Sequence, residues 1–251
     1  MIPIIMYHAL SNKGETDKYT ISADEFHQQM MYIKESGKHG VSLSSEYSFP
    51  NDNNVIITFD DGHISNLKIA TPILRQFGFN ATFFITTGNI GKGREWLSWE
   101  GVRNLVDYGM DVQAHGHTHI FLDTNDQDIL DQELGLPIKL FKEYLGIDIK
   151  HFSLPGGRYN KATLNSAKNY GYLTISTSTP GLNVIRHNVL DINYLSRFVI
   201  HQGIDNAEFI NIVNGDTGYV KRSVAKYRVK KIGKKLLGNN FYQRLWELVM
   251  K

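Results

Sequence analysis

Short apolar runs alternate along the chain with longer stretches of helical periodicity. The opening run, Ile2 to His8, reads as a strand. Residues Ser22 to Ser36 read as a helix, opened by the capping box Ser22-Ala23-Asp24-Glu25 and stopped at Gly37. Val55 to Asp61 is a short apolar run ending in carboxylates, and His63 to Phe77 is helical up to Gly78. A strand rich in β-formers, Ala81 to Thr87, comes next, followed by a helix over Ser98 to Tyr108 and a strand over Asp111 to His115. Thr124 to Leu145 is helical with an expected bend at Pro137. His151 to Leu154 is a strand running into Pro155-Gly156-Gly157. A helix over Asn160 to Tyr170 and strands over Tyr172 to Thr177 and Tyr194 to Ile200 complete the series. Such alternation implies an α/β fold with a parallel sheet, and about seven strand–helix units favour a closed or nearly closed barrel over a doubly wound sheet.

Composition adds two constraints. The chain of 251 residues, 41% hydrophobic and 12% aromatic, has material for one sizeable core. It has no cysteine, so disulfides and thiolate zinc sites are excluded and a bound metal must use N and O ligands. The apolar run at the start is too short for the core of an export signal, and no stretch is long and apolar enough to span a bilayer.

Charge divides the chain into an expected barrel over 1–217 and a basic helical tail over 218–251. The tail carries ten Lys and Arg against the single acid Glu247, whereas the body holds 17 basic and 24 acidic residues, a net of −7. Val220, Val224, Tyr227, Ile232 and Leu236 recur near helical spacing among the lysines. A second apolar group, Phe241, Leu245, Trp246, Leu248 and Val249, follows Gly238-Asn239-Asn240. A solvated helix face is one reading. The other is a basic amphipathic helix suited to an anionic membrane surface, which fits a cytoplasmic protein peripheral at the inner membrane face. The acidic body argues against nucleic acid as the partner.

Reactive side chains collect where the expected strands end: Asp60-Asp61-Gly62, His115-Gly116-His117-Thr118-His119 and Pro155-Gly156-Gly157-Arg158. In a parallel barrel those ends converge on one face, where sites are built. Adjacent carboxylates at a strand end point in different directions, so one can bind a cation while the other serves as a base. His115 and His119, at i and i+4, share one face of a helical turn, a geometry suited to zinc. Two histidines and a carboxylate leave a coordination position open for water.

Thr58-Phe59-Asp60-Asp61-Gly62 resembles the first signature of the polysaccharide deacetylase family, carbohydrate esterase family 4 or the NodB homology domain. His115 to His119 is similar to its histidine signature and Phe152 to Asn160 to its third, with Gly171-Tyr172 at a fitting distance and Met6-Tyr7-His8 resembling the opening strand. The resemblance spans about residues 2–210 and leaves the basic tail outside. It implies a distorted (β/α)7 barrel and a divalent metal, most often Zn2+, with Co2+ or Ni2+ as alternatives. Asp61, His115 and His119 would be the ligands and Asp60 the general base. The turn at Gly156 and Arg158 would face the substrate and its oxyanion. The reaction implied removes the N-acetyl group of an amino sugar in a polysaccharide, oligosaccharide or lipid-linked saccharide.

Three departures from the family pattern matter. Ser153 stands where the third signature carries an Arg that orients the base, so Asp60 is expected to be held by Arg158 or Arg197 instead. The sugar-facing tryptophan motif has no counterpart around Pro180-Gly181-Leu182-Asn183. The late Leu-x-His supplying a general acid has only Val199-Ile200-His201 as a loose counterpart, while Leu195-Ser196-Arg197-Phe198 resembles a subgroup whose last strand ends in Arg plus an apolar residue. His201 and His8 are therefore both candidates for the acid. Two alternatives stay open: a saccharide-binding barrel whose base is misplaced, and a C–N hydrolase acting on a non-sugar amide.

Overall fold

The computed structural model describes residues 1–12, 17–186 and 191–237. The chain enters through β1 (Ile2–Tyr7), then pairs β2 (Ala9–Ser11) with β3 (Thr20–Ser22) in a small separate sheet. α1 (Ala23–Glu35), β4 (His39–Val41) and α2 (Leu43–Ser48) lead to the buried β5 (Asn54–Phe59). Alternating units follow: α3 (Thr71–Gln76), β6 (Thr82–Ile85), α4 (Trp99–Asp107), β7 (Asp111–Ala114), then α5 (Gln127–Leu130) and α6 (Leu136–Leu145). β8 (His151–Ser153), α7 (Lys161–Asn169), β9 (Thr174–Ser176) and the short β10 (Leu182–Asn183), β11 (Asn193–Leu195) and β12 (Phe198–Val199) complete the sheet. α8 (Asn206–Val213) and α9 (Thr217–Leu237) come last.

The strands run in the order β10-β1-β5-β6-β7-β8-β9-β11, all neighbours parallel except β10 on β1. β11 lies on β9, and only two residues later β12 lies on β1 with Phe198 opposite Ile5. The link Ser196-Arg197 thus carries the chain from one edge of the parallel sheet to the other, and the sheet curls into a nearly closed barrel. The single strand expected over Tyr194 to Ile200 is broken at this link. Ser196 N–H donates to Asn183 Oδ1 and Arg197 N–H to Thr179 O, which replaces ladder bonds with cross-links and turns the Arg197 side chain inward.

Local signals set the helices. Ser22 Oγ accepts the Glu25 N–H at 3.0 Å, and α1 then buries Phe26, Met30 and Ile33 at helical spacing. Ser98 caps α4 in the same way, and Asn160 with Thr163 forms a reciprocal box on α7. The expected bend at Pro137 is displaced: a π-helical turn, Asp131–Gly135, precedes it, and the proline sits in the first turn of α6, where its missing N–H costs little. A second π-helical turn, Asn66–Ala70, interrupts the helix expected over residues 63–77.

Inside, Tyr7 stacks on Phe59 at 5.2 Å, Phe59 on Phe83 at 4.9 Å, and Phe26 meets Tyr7 edge-on at 5.1 Å. Each such buried ring contributes at most about 3 kcal/mol of transfer free energy. These rings join β1, β5, β6 and α1 beneath the strand ends that carry the polar clusters. In α9, Tyr219 and Val220 pack on the core. Phe241, Leu245, Trp246, Leu248 and Val249 lie outside the described residues. Among those described, no helix is long and apolar enough to cross a membrane.

Candidate active site

Asp60 directly follows β5, and its N–H donates to Tyr7 O at 2.9 Å, so it keeps register with β1. The next residue, Asp61, adopts φ +77°, which sends its carboxylate a different way. Asp60 points into the barrel, where Arg197, with 0% exposure, grips it at two points: Nη1 to Oδ1 at 2.7 Å and Nη2 to Oδ2 at 2.8 Å. Ser153 Oγ donates to Oδ2 at 3.0 Å and accepts from Arg197 Nη2 at 2.7 Å. Thr58 Oγ1 and Thr177 O take the remaining guanidinium donors at 3.3 and 3.0 Å. Every donor of this buried cation is therefore satisfied. Burial alone pushes the Asp60 carboxyl up, but Arg197 and His115 more than offset this and hold it below the ordinary value.

Of the two arginines expected to hold Asp60, Arg197 is the one that reaches it. Arg158 lies on Asp123 at 3.0 Å and over the Phe121 ring at 4.5 Å. The space above Gly156, at φ +60°, is filled by that same Phe121 ring.

His115 extends the β7 ladder through its N–H to Ile85 O at 3.0 Å. Its Nδ1 lies 2.8 Å from Ser153 O, so the neutral ring carries its proton there and keeps a lone pair on Nε2. That Nε2 is 3.3 Å from Asp61 Oδ1, and His119 Nε2 is 3.1 Å from the same oxygen. The two imidazoles do not arrive from a helical turn as the spacing suggested. Residues 115–119 form a loop in which Gly116 and His119 take φ +77° and +62°. His117 turns aside, with Nδ1 3.0 Å from Thr87 Oγ1. Asp61 and His119 are the only non-glycine residues at positive φ among those described, a strain that clusters at functional sites.

These residues fit a divalent cation. The donor atoms of Asp61, His115 and His119 lie within 4.8 Å of one another. Asp61 Oδ1 is buried without a hydrogen-bond partner, although two ring nitrogens face it. Donor atoms converging this closely offer a site that a cation completes, and an N/O set of this kind suits zinc, cobalt or nickel. Burial pushes the Asp61 carboxyl up, yet the two imidazoles beside it hold it far below the ordinary range.

A cleft of about 430 Å3 opens beside the cluster, lined by His8, Tyr19, Asp61, His63, Glu95 and Trp96 among others. His8 is carried to this wall by β1, and Asn66 Nδ2, in the π-helical turn Asn66–Ala70, holds its carbonyl at 2.8 Å. Burial lowers the His8 pKa, against the opposing pull of Asp60 and Asp61, and its Nδ1 has no hydrogen-bond partner. His201 is not among the residues lining this cleft, and its Nδ1 lies 2.6 Å from Gln202 O. Sequence reasoning passed over Tyr19, His63, Glu95 and Trp96, which sit on connections without strand or helix period. The nearest signal was His63, immediately after Asp60-Asp61-Gly62.

Residues 49–175 match the family model described as polysaccharide deacetylase. Among curated proteins, the chain is 28% identical over 186 residues to the protein named putative polysaccharide deacetylase YxkH of Bacillus subtilis. That match covers 72% of this chain and 65% of the relative, so the chain spans less than two thirds of its length. A peptidoglycan-N-acetylglucosamine deacetylase of Bacillus cereus is 26% identical over 169 residues, covering 62% of this chain and 76% of that protein. Among solved structures, the Streptococcus pyogenes deacetylase PplD in complex with acetate superposes with a TM-score of 0.75 at 25% identity, covering 84% of this chain and 97% of that one.

Proposed function

We propose, on the premise that this chain belongs to the polysaccharide deacetylase family, that it hydrolyses the N-acetyl group of an amino sugar held in a polysaccharide, oligosaccharide or lipid-linked saccharide. The observation that carries the reading is the shared position of two groups. A buried carboxylate, Asp60, clamped by Arg197, stands beside a carboxylate and two imidazoles whose donor atoms converge.

Asp61, His115 and His119 would hold a divalent cation, which supplies Lewis acidity toward an amide carbonyl and toward water. The chain's own groups account for the proton movements. Asp60 accepts a proton from the water whose oxygen attacks the acetamide carbon. Arg197 and Ser153 keep that carboxylate ionised and aimed, since both stabilise its charged form. As the C–N bond breaks, the departing amine takes a proton, and His8 is the better-placed donor of the two candidates because it lines the cleft with Asp61. Gly156 and Arg158 form the turn proposed to face the substrate. The reading gains support from the acetate bound to the Streptococcus pyogenes relative, since acetate is the acid this reaction releases.

The non-catalytic alternative rested on a base left without its arginine. Arg197 supplies that partner from the link between β11 and β12, which favours hydrolysis.

The test is acetate release from N-acetylglucosamine oligomers by chelator-stripped protein, with and without added zinc or cobalt. Release should require the metal and fall by about 10²–10⁴-fold in Asp60→Asn, the range for loss of a general base. Absence of release with every metal would move the reading to a non-sugar amide or to saccharide binding alone.

A further inference from the structure

Glu133 is a carboxylate with 0% exposure that the chemistry above does not use. It lies in the π-helical turn Asp131–Gly135 between α5 and α6. A π-helical turn widens the helix by a residue, and such turns recur at functional sites. Here the turn faces the loop after β7. Glu133 Oε2 accepts the His117 N–H at 2.8 Å, both oxygens accept the Thr118 N–H at 3.0 Å, and Oε1 accepts the Thr118 hydroxyl. No Lys, Arg or His forms an ion pair with it among the described residues.

A buried anion without a counter-cation is stable only where donors converge on it. Two successive backbone N–H groups make such an anion cradle, and here they belong to the residues lying between His115 and His119. The loop is drawn tight against the carboxylate: a Cβ at Gly116 would stand 2.6 Å from Glu133 Oε2. Glutamine has one acceptor oxygen, so its NH2 group would stand where an oxygen of Glu133 now accepts the Thr118 N–H and hydroxyl.

We propose that Glu133 is a positioning residue for the cation site. It fixes His117 and Thr118 so that His119, held at φ +62°, meets Asp61 and His115 at the distances needed for joint coordination. This inference rests on the reading of Asp61, His115 and His119 as ligands.

The test measures Zn2+ affinity of the chelator-stripped full chain by competition with a chromophoric chelator, and records the visible spectrum with Co2+. Groups that orient ligands without touching the metal commonly change affinity 10–100-fold, so Glu133→Gln should weaken Zn2+ binding by about 10-fold and alter the Co2+ spectrum. Glu46→Gln is the control. Glu46 is another fully buried carboxylate, bonded to Asn51 N–H and Asn54 Nδ2 away from the cation site, so its loss should lower stability and leave Zn2+ affinity unchanged. Thr118→Val removes one donor and leaves the carboxylate. It should weaken binding by a smaller factor and carries the test if Glu133→Gln does not fold. Wild-type affinity in Glu133→Gln or, where that chain is unfolded, in Thr118→Val overturns the proposal, as does equal weakening in Glu46→Gln. Retained affinity in His119→Ala overturns instead the ligand assignment beneath it.

Discussion

Toward the amino ends of the strands, the buried Thr82, Gln113, His151 and Thr174 form a network with the half-buried Asp111. Thr82 Oγ1 donates to Asp111 Oδ2 at 2.7 Å, Gln113 Nε2 to Asp111 Oδ1 at 2.7 Å, and Gln113 Oε1 accepts the N–H groups of Lys150 and His151 at 2.9 Å. His151 Nδ1 meets Thr174 Oγ1 at 3.0 Å. None of these side chains has a buried atom without a partner. At the carboxyl ends of the same sheet, Asp61 Oδ1 and His8 Nδ1 are both buried without one. Asp61 and His119 there also hold left-handed backbone, which costs about 1–3 kcal/mol for a non-glycine residue. One end is complete as folded. The other leaves converging lone pairs and strained backbone in place, an arrangement that a ligand completes. The contrast distinguishes polar burial that serves the fold from polar burial that serves chemistry.

Removing Arg197 breaks the comparison most severely. Arg197→Met leaves the buried Asp60 charge without its two-point ion pair, with Ser153 Oγ as its remaining side-chain hydrogen bond, and breaking a buried pair from one side costs about 3–5 kcal/mol. Urea unfolding should show this loss. Adding Asp60→Asn should return part of it, because the uncompensated charge is then gone. If the two substitutions simply add, Arg197 and Asp60 are not coupled, and the base is held by something else.

The complete end should instead show itself through pH. Burial holds the His151 pKa down at about 4, against the opposing pull of Asp111, while Lys150 adds to the lowering. Above about pH 6.5 the ring is neutral folded and unfolded, and it contributes nothing to the pH slope. Between 6.5 and 4 the unfolded chain takes up the proton and the folded chain does not, so stability falls as pH falls. The loss approaches roughly 3 kcal/mol near pH 4, at about 1.4 kcal/mol per pKa unit. Thermal melts across this window should flatten in His151→Gln. An unchanged slope would mean that other groups set the acid limb.

Much of the carboxyl end was visible in the sequence, for an identifiable reason. Strand ends show as an apolar run meeting polar residues, and Asp60, Asp61 and His115 each stand at such a boundary. What was not visible depends on contacts between distant segments. The histidine loop was read as helical from its spacing alone, but Gly116 and the donors to Glu133 come from tertiary packing. β4 went unseen because it is three residues long with a central glycine. Gly40 is needed there because a Cβ would stand 2.6 Å from Ile57 Cδ1 and 2.7 Å from Phe79 Cδ2. Arg197 was suspected as a partner for Asp60 only through the missing arginine at 153. Its choice over Arg158 follows from barrel closure, which no local pattern encodes.

The smallest expected effect sharpens the division of labour around Asp60. Ser153 Oγ bridges Asp60 Oδ2 and Arg197 Nη2 at 3.0 and 2.7 Å, but the two-point ion pair stands without it. Ser153→Ala removes two hydrogen bonds, one donated to Asp60 and one accepted from Arg197, within a network that keeps its charges matched, a change of about 2 kcal/mol in stability. Its kcat/KM should fall only a few-fold, since roughly 1 kcal/mol of aim corresponds to a factor of about five. The backbone carbonyl of Ser153, which holds His115 Nδ1, is unaffected by the substitution, so the cation site should keep its affinity. A loss as deep as that of Asp60→Asn would give the hydroxyl a share in the proton transfer itself. The base would then be a Ser153–Asp60 pair and not the carboxylate alone.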